Sequence, residues 1–311
     1  MTKWAVGIAP RGEICYTHAM ICNLCPHECG VDRSVTPGRC GAPDRLKAAL
    51  ALPFFFEEPP ISGMRGSGAV FFSHCNLSCA FCQNHEISAG GFGKEITDDE
   101  LTAILFRLTE KGVHTINLVS PTPYTGLIAG VLREVRKRPV PPVVWNSNGY
   151  EKPETLAMLE GLVDVYLPDL KYVSEAAARR CSGAPDYPAA AAAAIGEMKR
   201  QVGDLVLDED GVAVRGTMIR HLVLPGMVDE SKRVLLWIAE HLGAQTHISL
   251  MSQYYPAHRA RLIAGLDRPV SNAEYDEVCR YAVVLGFENG WFQEEGSPDP
   301  EFTPRFDLRG V

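Results

Sequence analysis

Ala69-Val70-Phe71-Phe72-Ser73-His74-Cys75-Asn76-Leu77-Ser78-Cys79-Ala80-Phe81-Cys82-Gln83-Asn84 runs four apolar residues almost directly into three cysteines. The apolar run is short, unbroken and rich in strand formers, so it reads as a buried strand. The cysteines follow as C-x3-C-x2-C, with Phe81 beside the last of them. Three thiolates on one loop can ligate three irons of a cubane cluster and leave the fourth iron open to chemistry. A zinc knuckle is a competing reading, but it needs a fourth ligand, for which His74 or His85 is to hand. Chance placement is the third.

Downstream of this strand the chain alternates apolar runs with amphipathic segments. His114 to Val119, Pro142 to Trp145, Val163 to Leu167, Met218 to Leu224 and Ile248 to Met251 read as five further strands. Between them, Thr97-Asp98-Asp99-Glu100 is a capping box that opens a helix. Thr125 to Arg138, Pro153 to Leu162, the alanine-rich run Ala189 to Gln201, and Ser231 to Leu242 are further helices. Ser271-Asn272-Ala273-Glu274 caps a last one that runs to about Leu285. Six β-then-α repeats require a parallel sheet with right-handed crossovers. Ligands in such sheets sit beyond the C-terminal ends of the strands, where the cysteine loop falls.

The chain has 311 residues, 46% hydrophobic and 22% charged, enough to bury a large core. No apolar run reaches the length of a membrane span, and Met1-Thr2-Lys3-Trp4 lacks the shape of a signal peptide. The net charge of −8 and the brevity of the basic run Arg133 to Arg138 argue against a nucleic-acid partner. Ten cysteines in such a chain read as metal ligands rather than disulfides. The expectation is a soluble cytoplasmic metalloprotein with neither a nucleic-acid nor a membrane partner.

Residues 1–65 differ from the rest: they hold five of the ten cysteines, several Pro and Gly, and little periodicity. Ala49 to Phe56 is a short apolar stretch there, and Pro59-Pro60 and the glycines from Gly63 to Gly68 punctuate the run into the main domain. Cys22, Cys25, Cys29 and Cys40 form C-x2-C-x3-C-x10-C, four thiolates that can enclose a metal, either zinc or a second Fe–S cluster. Cys15 is a displaced ligand or a bystander, and Cys181 and Cys279 read as structural. The expected division is a cysteine-rich metal-binding region over 1–65, a barrel over 66–290, and a C-terminal tail over 291–311.

With the cysteine loop placed, the chain resembles the radical S-adenosylmethionine (SAM) enzymes. It is most similar to the pyruvate formate-lyase activating enzyme-like branch with an extra N-terminal cysteine motif. The likeness runs from about Cys22 to Asn289 and is most specific at the cysteine loop, at Tyr166 to Tyr172 and at Arg220 to Gly226. It implies an α/β fold, a partial (β/α)6 barrel, holding one 4Fe–4S cluster on Cys75, Cys79 and Cys82, with SAM on the open iron. Asp169-Leu170-Lys171 matches an Asp-Leu-Lys element that puts Lys171 near the SAM carboxylate; a strand-end lysine reaching solvent is the plainer alternative. Arg220 matches an arginine suited to bidentate carboxylate recognition, with an internal salt bridge as its alternative. His258 matches a Pro-x-His histidine, and Asn148 an Asn-Gly element. Where these enzymes carry Gly-Gly-Glu to accept the SAM amine, this chain has Ser120-Pro121-Thr122-Pro123, which leaves carbonyls and hydroxyls as acceptors.

The resemblance further implies a flavodoxin- or ferredoxin-type electron donor and reductive cleavage of SAM to a 5′-deoxyadenosyl radical that abstracts hydrogen. The substrate is then a glycine of a partner protein, as for the activating enzymes, or a small molecule or peptide. A function of another class, a non-catalytic Fe–S electron carrier or metal-dependent scaffold, would ligate all four irons and leave SAM intact.

Overall fold

The computed structural model describes residues 21–293 and 303–311, so Cys15 lies outside the described residues. The expected strands all form: β2 (Ser67–Phe72), β4 (Thr115–Val119), β5 (Val143–Ser147), β6 (Val165–Pro168), β8 (Ala213–Leu222) and β9 (His247–Met251). They lie side by side in chain order, each parallel to the next. Four more strands complete one ten-stranded sheet: β1 (Leu46–Phe54), β3 (Lys94–Ile96), β7 (Val206–Leu207) and β10 (Gly290–Phe292). β10 extends the parallel set beyond β9, whereas β1 pairs antiparallel with β2 and carries β3 on its far edge. The sheet ends at β10 on one side and β3 on the other, so the barrel is partial.

The apolar stretch Ala49 to Phe56 is therefore largely β1. It shows no alternation because much of the strand is buried on both faces. Residues 308–311 run back along it, with Leu308 N–H donating to Ala49 O and Ala51 N–H to Arg309 O. Thr97 and Ser271 form the expected capping boxes for helices Asp98–Glu110 and Asn272–Val284. The helix expected over 153–162 is instead one turn, Pro153–Leu156, followed by a 3-10 turn, and Gly161 at φ 74° turns the chain toward β6. Helix Glu175–Ser182 ends just past Cys181, which is buried in its last turn. No helix among the described residues is long and apolar enough to cross a membrane.

Between β1 and β2 the chain turns inward. Ile61, on the short helix Pro59–Ser62, is fully buried among Val144, Val165, Leu167 and Met218, and its carbonyl accepts from Thr115 Oγ1 at 2.9 Å. The period of two along parallel strands puts Asn117, Asn146 and Arg220 on the face that meets this segment. Residues 57–62 thus fill the barrel from beneath and carry Glu57 up into a polar layer above the apolar one.

Candidate active site

The cysteine loop leaves β2 at its C-terminal end and is pinned from two sides. Ala80 N–H donates to Cys181 O at 2.8 Å, and Arg259 N–H donates to Ala80 O at 2.8 Å. Leu77 and Phe81 are buried, with Phe81 against Tyr254 at 5.8 Å between ring centroids. The aromatic beside the last cysteine therefore anchors the loop in the core.

Each of the three thiols meets one polar side chain. Asn148 Nδ2 donates to Cys75 Sγ at 3.2 Å, Ser182 Oγ lies 3.0 Å from Cys79 Sγ, and Ser88 Oγ lies 3.2 Å from Cys82 Sγ. Backbone N–H groups of Leu77 and Asn84 also point at Cys75 and Cys82. Burial pushes the Cys75 thiol up to about 12 and Cys82 to about 11, and the neighbouring Cys79 pushes in the same direction. Thiols this reluctant to ionise become thiolates when a metal supplies the compensating charge. Among the described residues, no group of three or more His, Cys, Asp or Glu side chains is arranged to hold a single metal ion. A cubane sets a different requirement, because its protein ligands sit on separate irons. Three half-buried sulfurs on one loop, each with a polar side chain within hydrogen-bond reach, fit that requirement.

The three cysteines line one cavity of about 210 Å³ together with Ser120, Asn148, Asp169, Lys171 and Arg220. Phe54, Phe71, Val119, Leu222 and Met251 give it an apolar wall. His258 does not line it: this exposed residue sits at φ 49°, its ring edge-on to His85 at 4.9 Å.

Charge inside the cavity is paired. Lys171 Nζ lies 2.5 Å from Asp169 Oδ2, and Arg220 Nε donates to Asp169 Oδ1 at 2.9 Å. Arg220 Nη2 reaches Asn146 Oδ1 at 2.7 Å, and Nη1 lies 3.5 Å from Glu57 Oε2. Burial alone would raise the Asp169 carboxyl, but Arg220 and Lys171 hold it below the usual carboxylate range. Lys171 is mostly buried rather than reaching solvent; burial pulls its ammonium down, and Asp169 more than restores it. Glu57 goes the other way, to about 7, because burial and Glu58 outweigh an Arg220 already engaged by Asp169.

The Ser-Pro-Thr-Pro segment is rigidly placed. Ser120 has φ 56°, a left-handed conformation rare for a residue with a side chain, and its N–H donates to Asn146 O at 2.9 Å. The buried Glu151 carboxylate accepts from Thr122 Oγ1 (2.9 Å), Trp145 Nε1 (2.9 Å) and Ser147 Oγ (2.6 Å) and so ties this segment to β5. Tyr187 Oη accepts Lys171 N–H at 3.0 Å and faces the carbonyls of Asp169 (2.8 Å) and Asn148 (2.9 Å). Glu57, Glu151, Ser88, Ser182 and Tyr187 were not singled out from the sequence. Ser88 and Glu151 lie just behind the cysteine loop and the Asn148-Gly149 pair, whereas Glu57, Ser182 and Tyr187 come from segments remote from the motifs, and no spacing pattern marks any of the five.

The structure is thus of the class of parallel partial barrels that carry a thiol-lined, charged cavity at the C-terminal mouth. The Radical SAM superfamily model matches residues 69–238, more than half of the chain, and the chain belongs to that superfamily. The family implies a 4Fe–4S cluster and SAM. An uncharacterised protein of Methanocaldococcus jannaschii is 28% identical over 271 residues, covering 84% of this chain and 74% of that protein. Among solved structures, Streptococcus suis SuiB bound to precursor peptide SuiA is 13% identical with a TM-score of 0.48, covering 71% of this chain and 47% of that one. SuiB bound to S-adenosylmethionine gives 14%, 0.47, 73% and 50%. This chain thus spans about half the length of the solved structures it matches.

Proposed function

We propose that this chain is a radical SAM enzyme in which Cys75, Cys79 and Cys82 hold the 4Fe–4S cluster and the adjoining cavity holds SAM. The observation that carries the reading is one cavity lined both by three hydrogen-bonded thiols and by the Asp169, Lys171 and Arg220 charge set. When bound, the cluster supplies one electron to the SAM sulfonium, giving methionine and a 5′-deoxyadenosyl radical that takes hydrogen from a substrate.

The residues of this chain bind and orient. Lys171 and Arg220 present cations to the SAM carboxylate while Asp169 keeps both from collapsing toward the thiolates. Ser120, held in its strained conformation, offers a hydroxyl and a carbonyl to the SAM amine. Asn148 serves Cys75 rather than reaching freely into the cavity. The apolar wall of Phe54, Phe71, Val119, Leu222 and Met251 limits water near the reacting carbon. A low-potential flavodoxin- or ferredoxin-type protein supplies the electron. The activating-enzyme-like role, with a protein glycine as substrate, rests on the sequence motifs at Tyr166 to Tyr172 and Arg220 to Gly226. The Cys22, Cys25, Cys29 and Cys40 set, expected to enclose zinc or a second Fe–S cluster, is not arranged around a metal ion among the described residues, so no second metal is assigned to it.

The test is anaerobic reconstitution with iron and sulfide, reduction, and incubation with SAM. The reading requires about four irons on the Cys75 set and release of 5′-deoxyadenosine, both lost on Cys75→Ala, Cys79→Ala or Cys82→Ala. Absence of 5′-deoxyadenosine, or its loss on Cys22→Ala but not on Cys75→Ala, refutes it. Addition of glycyl-radical candidate proteins, with detection of a protein radical, then tests the activating role.

A further inference from the structure

The hydroxyl that meets Cys79 has a second hydroxyl behind it. Ser182 Oγ lies 3.0 Å from Cys79 Sγ and 3.1 Å from Tyr172 Oη. Ser182 is 2% exposed and Tyr172 is fully buried. Tyr172 belongs to the apolar core that also holds Leu77, Phe81 and Cys181, and Cys79 packs against that core. Ser88, the hydroxyl beside Cys82, has no second hydroxyl behind it among the described residues.

The fold fixes both ends of this row. Tyr172 follows Lys171 just beyond β6, so the element that sends Lys171 to the cavity sends its neighbour into the core. Ser182 is the last residue of helix Glu175–Ser182, which Gly183 stops at φ 67° with its N–H on Arg179 O. Ala80 N–H donates to Cys181 O at 2.8 Å and Ser78 N–H to Ser182 O at 3.4 Å, which holds this helix end against the cysteine loop.

The direction of the row follows from its chemistry. Serine has one hydroxyl hydrogen, and a thiolate can only accept. With Cys79 ionised, the Ser182 hydrogen points at Sγ, so Tyr172 O–H donates to Ser182 Oγ. Both hydrogens then face the sulfur, and in a buried row the outer bond polarises and strengthens the inner one.

We propose that Ser182 and Tyr172 are positioning residues for the catalytic cluster, a row of two hydroxyls that raises its reduction potential through the Cys79 thiolate. The inference rests on the reading above that Cys79 ligates the cluster. Reduction adds negative charge that spreads onto the ligating sulfurs, so a hydrogen bond to one of them favours the reduced form. Neither residue lines the cavity, so both act on the cluster rather than on SAM.

The full chain, reconstituted anaerobically, is compared with Ser182→Ala, Tyr172→Phe and the double variant by iron and sulfide counting and by an EPR-monitored redox titration. Ser182→Ala keeps the catalytic irons and shifts their midpoint potential downward. Tyr172→Phe shifts it the same way by less, because Ser182 still donates. With Ser182 already replaced, Tyr172→Phe adds no further shift. An unmoved midpoint in either single variant overturns the inference, as does a Tyr172→Phe shift that persists in the double variant. If Ser182→Ala loses its irons, Tyr172→Phe decides alone. A parent that holds the irons yet releases no 5′-deoxyadenosine refutes the proposed function while the midpoints still decide this inference. A parent without the irons overturns both.

Discussion

Replacing Glu57 by Gln tests the polar layer under the cavity. Glu57 enters the barrel from below, accepts from Asn117 Nδ2 at 3.0 Å, and faces Arg220 at 3.5 Å. Burial, together with Glu58, raises its carboxyl from 4.5 to about 7. The folded chain then keeps this proton at pH values where the unfolded chain has released it, so stability falls as pH rises from 4.5 through about 7. At about 1.36 kcal/mol per unit, the difference amounts to about 3 kcal/mol. Glu57→Gln removes that dependence: parent and variant should match near pH 5, and the variant should be the more stable by up to about 3 kcal/mol at pH 8. Urea denaturation followed by circular dichroism, at matched cluster content across this range, measures it. A stability difference that does not change with pH refutes the reasoning and shows that Arg220 keeps Glu57 ionised throughout.

Other outcomes follow from the same site. Gly149 sits at φ 77°, and a Cβ there would lie 2.5 Å from Asp169 O, so Gly149→Ala should cost roughly 2–4 kcal/mol and weaken SAM binding by displacing Asp169, read by thermal melting and equilibrium dialysis. His221 is buried between Leu170 O (2.8 Å) and Ser231 Oγ (2.9 Å), and burial lowers it from 6.5 to about 4. Stability should therefore fall as pH drops from 6.5 to 4, by up to about 3 kcal/mol, and His221→Gln should flatten that slope in acid urea titrations. Arg220→Lys should retain the cluster irons yet raise the SAM concentration needed for 5′-deoxyadenosine release, because lysine cannot span Asp169 and Asn146 at once.

The barrel was legible because its signals are local. Each parallel strand is a short apolar run followed by a helix signal, and the cysteine spacing lies within one loop. β1 was harder, since a strand buried on both faces loses its alternation. At the site, Asp169, Lys171, Arg220, Asn148 and Ser120 all reach the cavity from strand ends, where the topology sends them. His258 follows β9 by seven residues, room enough for the chain to turn it outward beside His85. What sequence could not show was the set of residues that orient others. Ser182 reaches Cys79 across 103 positions and Asn148 reaches Cys75 across 73, separations that no spacing pattern encodes.

The segment 57–62 closes the barrel opposite the cysteines, and this has a kinetic meaning. A vessel stopped at one end is filled and emptied through the other. On the function proposed above, two ligands entering by the cysteine-side mouth would load in order, and excess of the outer one would hold the inner one in place.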